Sequence, residues 1–261
     1  MNEPLKPQEV LTSVHQLRAI TTPSHQHIGI TIDAEPYKWP HDASFSRATS
    51  ALVIIDMQRD FCSLGGYLHH QGYDISPARA IIPGLQRLVS SFRHAGFAIY
   101  HTREGHRADL SSLSARELFR SRNNPSGLGI GDSGPLGRLL IRGEEGHDTI
   151  PELYPLPGEP VIDKPGKGAF TYTDFELLLR IRGIRNLIIA GVTTDVCVST
   201  TVREANDRGF ECMVVSDSCA ASEEVLHRAA VEMCRTEGGI FGCTGTVEDV
   251  CKAIDSLSAQ A

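Results

Sequence analysis

Short apolar runs alternate with amphipathic stretches along most of this chain. Residues 51–56 (ALVIID) are almost continuously apolar, 77–96 (PARAIIPGLQRLVSSFRHAG) place apolar positions at helical spacing, and 97–102 (FAIYHT) are again apolar and β-prone. This succession predicts a strand, a helix and a strand, with Gly96 as the helix stop. The pattern resumes with strands over 161–164 (VIDK), 186–191 (NLIIAG) and 212–217 (CMVVSD). Helices are predicted over 173–183, 194–209 and 222–239, and a last short one near 246–257. Strands buried on both faces read as unbroken apolar runs, and repeated strand–helix–strand units close by right-handed crossovers. The prediction is an α/β domain, three layers deep, with a mostly parallel sheet between helices.

Two stretches interrupt this rhythm. Residues 1–46, with PSHQH and AEPYKWPHD, lack periodicity and carry several prolines, so they are expected to form an arm packed on a single domain over 47–261. Residues 103–160 are rich in Gly, Pro, Arg and Ser and are expected to be a long loop insertion that walls a site.

Composition narrows the partners. The chain has 261 residues, a net charge of −7 and no block of like charges, which offers no footprint for nucleic acid or an anionic membrane surface. No apolar run approaches the roughly 18 residues that span a bilayer, and MNEPLKPQEVLTS does not read as a leader, so a cytoplasmic protein is expected. Seven scattered cysteines without C-x-x-C spacing are expected to be reduced thiols. Small molecules and further copies of the chain are the expected partners.

Reactive groups in open parallel sheets gather beyond the carboxyl ends of the strands. The residues there are Asp56, His101 and Arg103, Lys164, Thr193 to Cys197, and Asp217. Cys197 falls in the first turn of a predicted helix, where free backbone N–H groups favour an anion and lower a thiol pKa. A packed, inert thiol is the competing reading, as it is for the other six cysteines. A carboxylate that takes the thiol proton and an ammonium that steadies the charges would make Asp56 and Lys164 sensible partners for it. A capping Asp56 and a solvated Lys164 are the plain alternatives.

These residues sit in motifs that resemble the isochorismatase-like superfamily of cysteine hydrolases: IIDMQRDF (54–61), KPGKGAF (164–170), GVTTDVCVSTTVREANDRGF (191–210) and VVSDSCAA (214–221). The resemblance covers roughly residues 47–250. It implies a Rossmann-like topology with a mostly parallel six-stranded sheet. It also implies a catalytic triad of Asp56 as general base and then acid, Lys164 as electrostatic partner and Cys197 as nucleophile. A cis peptide at Val192–Thr193 and an oxyanion hole from the backbone N–H groups of Thr193 and Cys197 would follow. Relatives are homo-oligomers, commonly tetramers, so a homotetramer is expected. Nicotinamidases of this superfamily hold a metal through an Asp-x-His pair, which DFCSLGGYLHHQG (60–72) lacks, and true isochorismatases lack the nucleophilic cysteine. Amide hydrolysis with no metal and no cofactor is the expectation.

Further segments, AEPYKWP, GGYLHHQGYD, HTREGHRADL, the run over 129–155 and GGIFG, resemble biuret and triuret amidohydrolases. Hydrolases of ureidoacrylate and of N-carbamoyl amines stay open, since all these substrates present a terminal ureido amide. A non-catalytic binding or redox-sensing domain is the alternative of another class. A planar, uncharged ureido compound needs polar complements in a dry pocket. The candidates are Arg103, His106 and Arg107 for carbonyl oxygens and Glu237 for N–H groups, with Phe61, Phe170, Tyr172 and Phe241 as apolar walls. The resemblance implies a neutral amide at position 237 in biuret hydrolases, so the acidic Glu237 tilts the expectation from biuret towards triuret.

Overall fold

The computed structural model describes residues 30–259. Six strands form one sheet: β1 (Ser50–Ile55), β2 (Ala98–Glu104), β3 (Val161–Lys164), β4 (Asn186–Val192), β5 (Glu211–Ala220) and β6 (Cys243–Gly245). Their order is β3-β2-β1-β4-β5-β6, and every neighbouring pair is parallel. Six main helices, α1 (Ile82–Ala95), α2 (Ala115–Arg122), α3 (Phe175–Ile181), α4 (Ser199–Asp207), α5 (Glu224–Gly239) and α6 (Val247–Ser258), complete the three-layer α/β/α arrangement. β1 and β4 are buried along their whole length, as their unbroken apolar sequences require. The strand order reverses between them, and the crevice beyond their carboxyl ends is where such sheets bind ligands.

One glycine fixes how closely these two central strands meet. Gly191 has φ +120° and faces Ile55 across the β1–β4 pair, and a Cβ there would stand 2.2 Å from the Ile55 carbonyl oxygen. Only glycine fits. Asp56, the next residue on the β1 side, itself has φ +48°, an uncommon conformation for a non-glycine residue.

Several elements differ from the sequence pattern for local reasons. The helix expected over 77–96 divides into a short turn, Ser76–Ala80, and α1, because Pro83 lacks the N–H needed to continue and instead opens a new helix. Gly96 does stop α1, with φ +72°. The helix expected from 194 begins as a wide π-type turn, Thr194–Val198, before α4 proper. In α5, helical geometry lapses at Thr236, Glu237 and Gly238, and Gly238 and Gly239 both take the positive φ that glycine accommodates. β2 runs two residues beyond its expected end and so includes Arg103 and Glu104.

The long segment after β2 contains α2, capped by Ser114 accepting from Glu117 N at 3.2 Å, and a small ribbon of Ser133–Gly134 with Gly137–Arg138. Asp60 ties this segment down: its buried carboxylate accepts from the backbone N–H groups of Tyr67 and Leu140, both at 3.0 Å. Of the expected arm, residues 30–46 are described and 1–29 lie outside the described residues. Ile32, Trp39 and Phe45 are fully buried, and Ile32 and Trp39 exchange backbone hydrogen bonds of 2.6 and 3.0 Å. Glu35 pairs with Thr244 of β6 through backbone bonds of 2.9 and 2.8 Å.

Candidate active site

Three strand ends and one turn converge on a buried charged cluster. Asp56 follows β1, Glu104 ends β2, Lys164 ends β3, and Cys197 stands in the turn after β4. Lys164 Nζ lies 2.7 Å from Asp56 Oδ2 and 3.8 Å from Glu104 Oε2. It also donates to the Gly166 carbonyl at 3.0 Å. Thr102 Oγ1 donates to Asp56 Oδ1 at 2.6 Å. The Cys197 thiol donates to Glu104 Oε2 at 3.4 Å. A second ammonium, Lys167, reaches Glu104 Oε1 at 2.6 Å and Glu117 Oε1 at 2.9 Å. Asp56, Lys164 and Glu104 are essentially sealed from solvent.

Such close charges set one another's protonation. Burial raises the Asp56 pKa; the Lys164 ammonium opposes this and the Glu104 carboxylate adds to it, leaving Asp56 above its ordinary value. Burial acts the same way on Glu104, but Lys167 and Lys164 outweigh it and hold this carboxyl below its usual range. Burial disfavours the Lys164 ammonium, yet Asp56, Cys197 and Glu104 together keep it charged. Cys197 departs from the expectation of an acidified thiol. Burial pushes it well above its ordinary value; Lys164 and Lys167 pull it down, but Asp56 and Glu104 resist. The helix-terminal setting is overridden because the sulfur is buried beside two carboxylates, so the resting group is a thiol aimed at a carboxylate.

A cavity of about 380 Å³ opens onto this cluster. Cys197, Glu104, Lys167 and Thr193 face it from the base, while Tyr67, Gln71, Arg120, Asn123 and Asn124 come from the segments after β1 and β2. Phe61, Leu68, Val196 and Leu226 add apolar wall. Asp56 and Lys164 stand behind Glu104 and Cys197 and are not part of the wall. The Val192–Thr193 peptide is cis.

The sequence candidates for substrate contact are scattered. Phe61 lines the cavity. Arg103 does not: side chains alternate along a strand, so it points away from Thr102 and Glu104 and pairs with Asp163 at 2.8 Å and Asp148 at 3.1 Å. His106 is buried with Nδ1 3.2 Å from the Ser112 carbonyl oxygen, and Arg107 is exposed and paired with Asp109 at 3.4 Å. Phe170 packs between Phe175 and Phe210 in the core. Tyr172 is 89% exposed. Glu237 is exposed at the lapse in α5 with φ +52°, and Phe241 lies under the Arg203 guanidinium, 4.5 Å from its carbon. None of these seven belongs to the cavity wall.

Glu104 and Lys167 are the residues that sequence reasoning passed over. The signal was available in the alternation: Thr102 and Glu104 share a face, and ending β2 at residue 102 hid the second. Asp56, Glu104 and Cys197 have donor atoms within 4.8 Å of one another, a spacing that could serve an ion, but the Lys164 ammonium already fills the cationic position beside Asp56. His41, Asp42 and Glu211 form a second such triple at the surface, where His41 Nδ1 lies 2.6 Å from Glu211 Oε2. All seven cysteines are free and buried.

Comparison with known proteins agrees with this architecture. The ureidoacrylate amidohydrolase RutB of Enterobacter sp. (strain 638) is 32% identical over 229 residues, 84% of this chain and 95% of that protein. RutB of Pantoea ananatis (strain LMG 20103) is 29% identical over 231 residues, 85% of this chain and 88% of that one. A cysteine hydrolase from Pseudomonas syringae pv. phaseolicola 1448A shares the fold, with a TM-score of 0.70 at 23% identity over 90% of this chain and 99% of that chain. The isochorismatase domain family matches residues 50–246, so a chain that gathers a carboxylate, a lysine and a cysteine beyond the carboxyl ends of three parallel strands belongs to the isochorismatase family.

Proposed function

We propose that this isochorismatase-like amidohydrolase cleaves the terminal ureido amide of a small, uncharged urea condensate, biuret or triuret, with Cys197 as nucleophile. In the scheme that the resemblance implies, Sγ attacks the terminal carbonyl and the thiol proton passes to Asp56. Lys164 steadies the charges, and the backbone N–H groups of Thr193 and Cys197 receive the oxyanion. Ammonia leaves, and water releases the carbamoyl group from sulfur as allophanate or carboxybiuret.

The observation that carries the neutral substrate is the charge balance of the wall. Its charged side chains are Glu104 and Asp195 against Arg120 and Lys167. Both cations are already engaged, Arg120 by Glu117 at 2.6 Å and Lys167 by Glu104 and Glu117. A substrate carboxylate would enter without a free cation to meet it, which is costly in a dry pocket. A volume of about 380 Å³ lies at the small end of the roughly 300–1,000 Å³ of ligand pockets, in keeping with a compact molecule. The relatives named for ureidoacrylate favour a second reading, an anionic ureido acid, on which Arg120 would exchange Glu117 for the substrate. The tilt from biuret to triuret rested on Glu237, whose exposed position outside the wall lends it no support. α5 exposes Val225 and Met233, and Ile240 just after it is exposed as well, which suits the proposed homotetramer; light scattering measures that assembly.

Ammonia release from biuret, triuret, ureidoacrylate, N-carbamoylsarcosine and nicotinamide tests the reading, together with mass spectrometry of quenched enzyme for a carbamoyl adduct on Cys197. Turnover of the two urea condensates with an adduct is expected. Preference for ureidoacrylate would transfer the case to the second reading, and absence of any adduct would favour a sensor thiol.

A further inference from the structure

We propose that Asp195 is a specificity-determining residue of this cavity: it accepts the distal N–H groups of a neutral urea condensate, and its charge turns anionic ureido acids away. The inference rests on the proposed reading of the cavity as a ureido-substrate site and names the side chain that selects within it. Three observations carry it. Asp195 lines the cavity and belongs to the same turn as Cys197. Its Oδ1 is buried and accepts no hydrogen bond, the one such side-chain atom in the cavity wall among the described residues. It also stands outside the group of Asp56, Glu104 and Cys197, whose donor atoms lie within 4.8 Å of one another.

Neighbouring polar groups of the wall are already spent. Gln71 donates to the carbonyl oxygens of Ser121 and Leu128, both at 3.1 Å, and Asn124 donates to the same two at 2.8 Å. Arg120 and Lys167 are held by Glu117. Asp195 differs from them. A carboxylate only accepts, and one kept from water without a donor carries a desolvation cost that an arriving N–H group relieves. The residue as a whole is half-buried, and a carboxyl turns easily about its last torsion, so either oxygen can be presented to the cavity.

Beyond the attacked ureido carbonyl the candidate substrates differ. Biuret and triuret continue as amides, with N–H donors and no charge, whereas ureidoacrylate ends in a carboxylate. An acceptor outside the reacting cluster meets that far end. It bonds the first kind and repels the second, and a site with an open acceptor discriminates strongly because the wrong ligand leaves it unpaired. No proton and no covalent bond changes hands at Asp195.

The test is kcat/KM for biuret, triuret and ureidoacrylate in wild type, Asp195→Asn and Asp195→Glu. Asp195→Asn keeps the shape and loses the charge. It should lower kcat/KM for the urea condensates about tenfold or more, chiefly through KM, as loss of one charge-assisted bond does. It should raise kcat/KM for ureidoacrylate, so that the ratio of the two moves by about 100-fold in all. Asp195→Glu keeps the charge and should leave ureidoacrylate as poor a substrate as in wild type. A merely structural Asp195 would depress both kinds of substrate alike. A ratio in Asp195→Asn within about threefold of wild type would overturn the proposal, as would ureidoacrylate turnover gained by Asp195→Glu. Thermal melting checks that each variant is folded, and Asp195→Ser supplies the same ratio if Asp195→Asn is not. Wild-type enzyme that released ammonia from none of the three compounds, or that preferred ureidoacrylate, would overturn the parent reading itself, whereas an unmoved ratio in an enzyme that prefers the urea condensates strikes Asp195 alone.

Discussion

Lys164 Nζ lies 2.7 Å from Asp56 Oδ2, and neither side chain has any exposure to solvent. Breaking such a pair from one side leaves an uncompensated buried charge, which costs about 3–5 kcal/mol. Lys164→Ala should therefore lose both ammonia release and that much stability in urea denaturation, while Cys197→Ser should lose only the activity. The double change Asp56→Asn with Lys164→Met should recover much of the stability and none of the turnover. A Lys164→Ala protein as stable as wild type would contradict the burial of this pair.

Gly191 should admit no side chain. The alanine Cβ would stand 2.2 Å from the Ile55 carbonyl oxygen, which belongs to the backbone of a central strand and has no room to retreat. Gly191→Ala should lose upwards of about 3 kcal/mol or fail to accumulate as soluble protein. Thermal melting compared with Gly96→Ala provides the check, because a Cβ at Gly96 meets nothing within 4 Å and only the backbone strain is added there.

Acid should loosen the cavity wall through Glu117. Burial raises its pKa, but hydrogen bonds from Arg120 and Lys167 outweigh that and bring it from 4.5 to about 2. A carboxyl whose folded pKa is depressed contributes stability above its unfolded value and loses it as pH falls towards the folded one. The window is about pH 4.5 to 2. Glu117→Gln should flatten that part of the denaturation profile, and at neutral pH it should raise KM more than it lowers kcat, since Lys167 and Arg120 lose their shared anchor. An unaltered acid limb would exclude the role.

Arg103 should behave as a brace. It joins Asp163 and Asp148 on the side of β2 away from the cavity and is about one quarter exposed, at 23%. Arg103→Leu should cost about 1–2 kcal/mol through these charge-assisted bonds, with KM for the proposed ureido substrate nearly unchanged. A large rise in KM with unchanged melting would instead return Arg103 to the substrate.

The α/β architecture could be read from the chain because each buried strand is an apolar run and each strand end carries one conspicuous polar residue. Asp56, Lys164 and Cys197 were visible for that reason. Glu104 was not, since Thr102 looked like the last residue of β2 and its charged successors resembled a loop. Arg120, Asn123 and Asn124 reach the cavity from a segment whose path is set by tertiary ties such as Asp60 to Leu140 N, and such ties leave no periodicity to read. Arg103 and Glu237 show the converse: a charged residue near a motif says little until the direction of its side chain is known.

The backbone bonds between Glu35 and Thr244 bear on how the molecule behaves in crowded solution. β6 is the last strand of the sheet, and an uncovered edge offers N–H and C=O groups to any passing strand. With Glu35 seated there, and Ile32, Trp39 and Phe45 anchored below, the segment over 30–46 acts as a guard against intermolecular β-pairing. Removing it should leave the buried charged cluster at the other strand ends in place, yet yield a protein that self-associates through its own sheet.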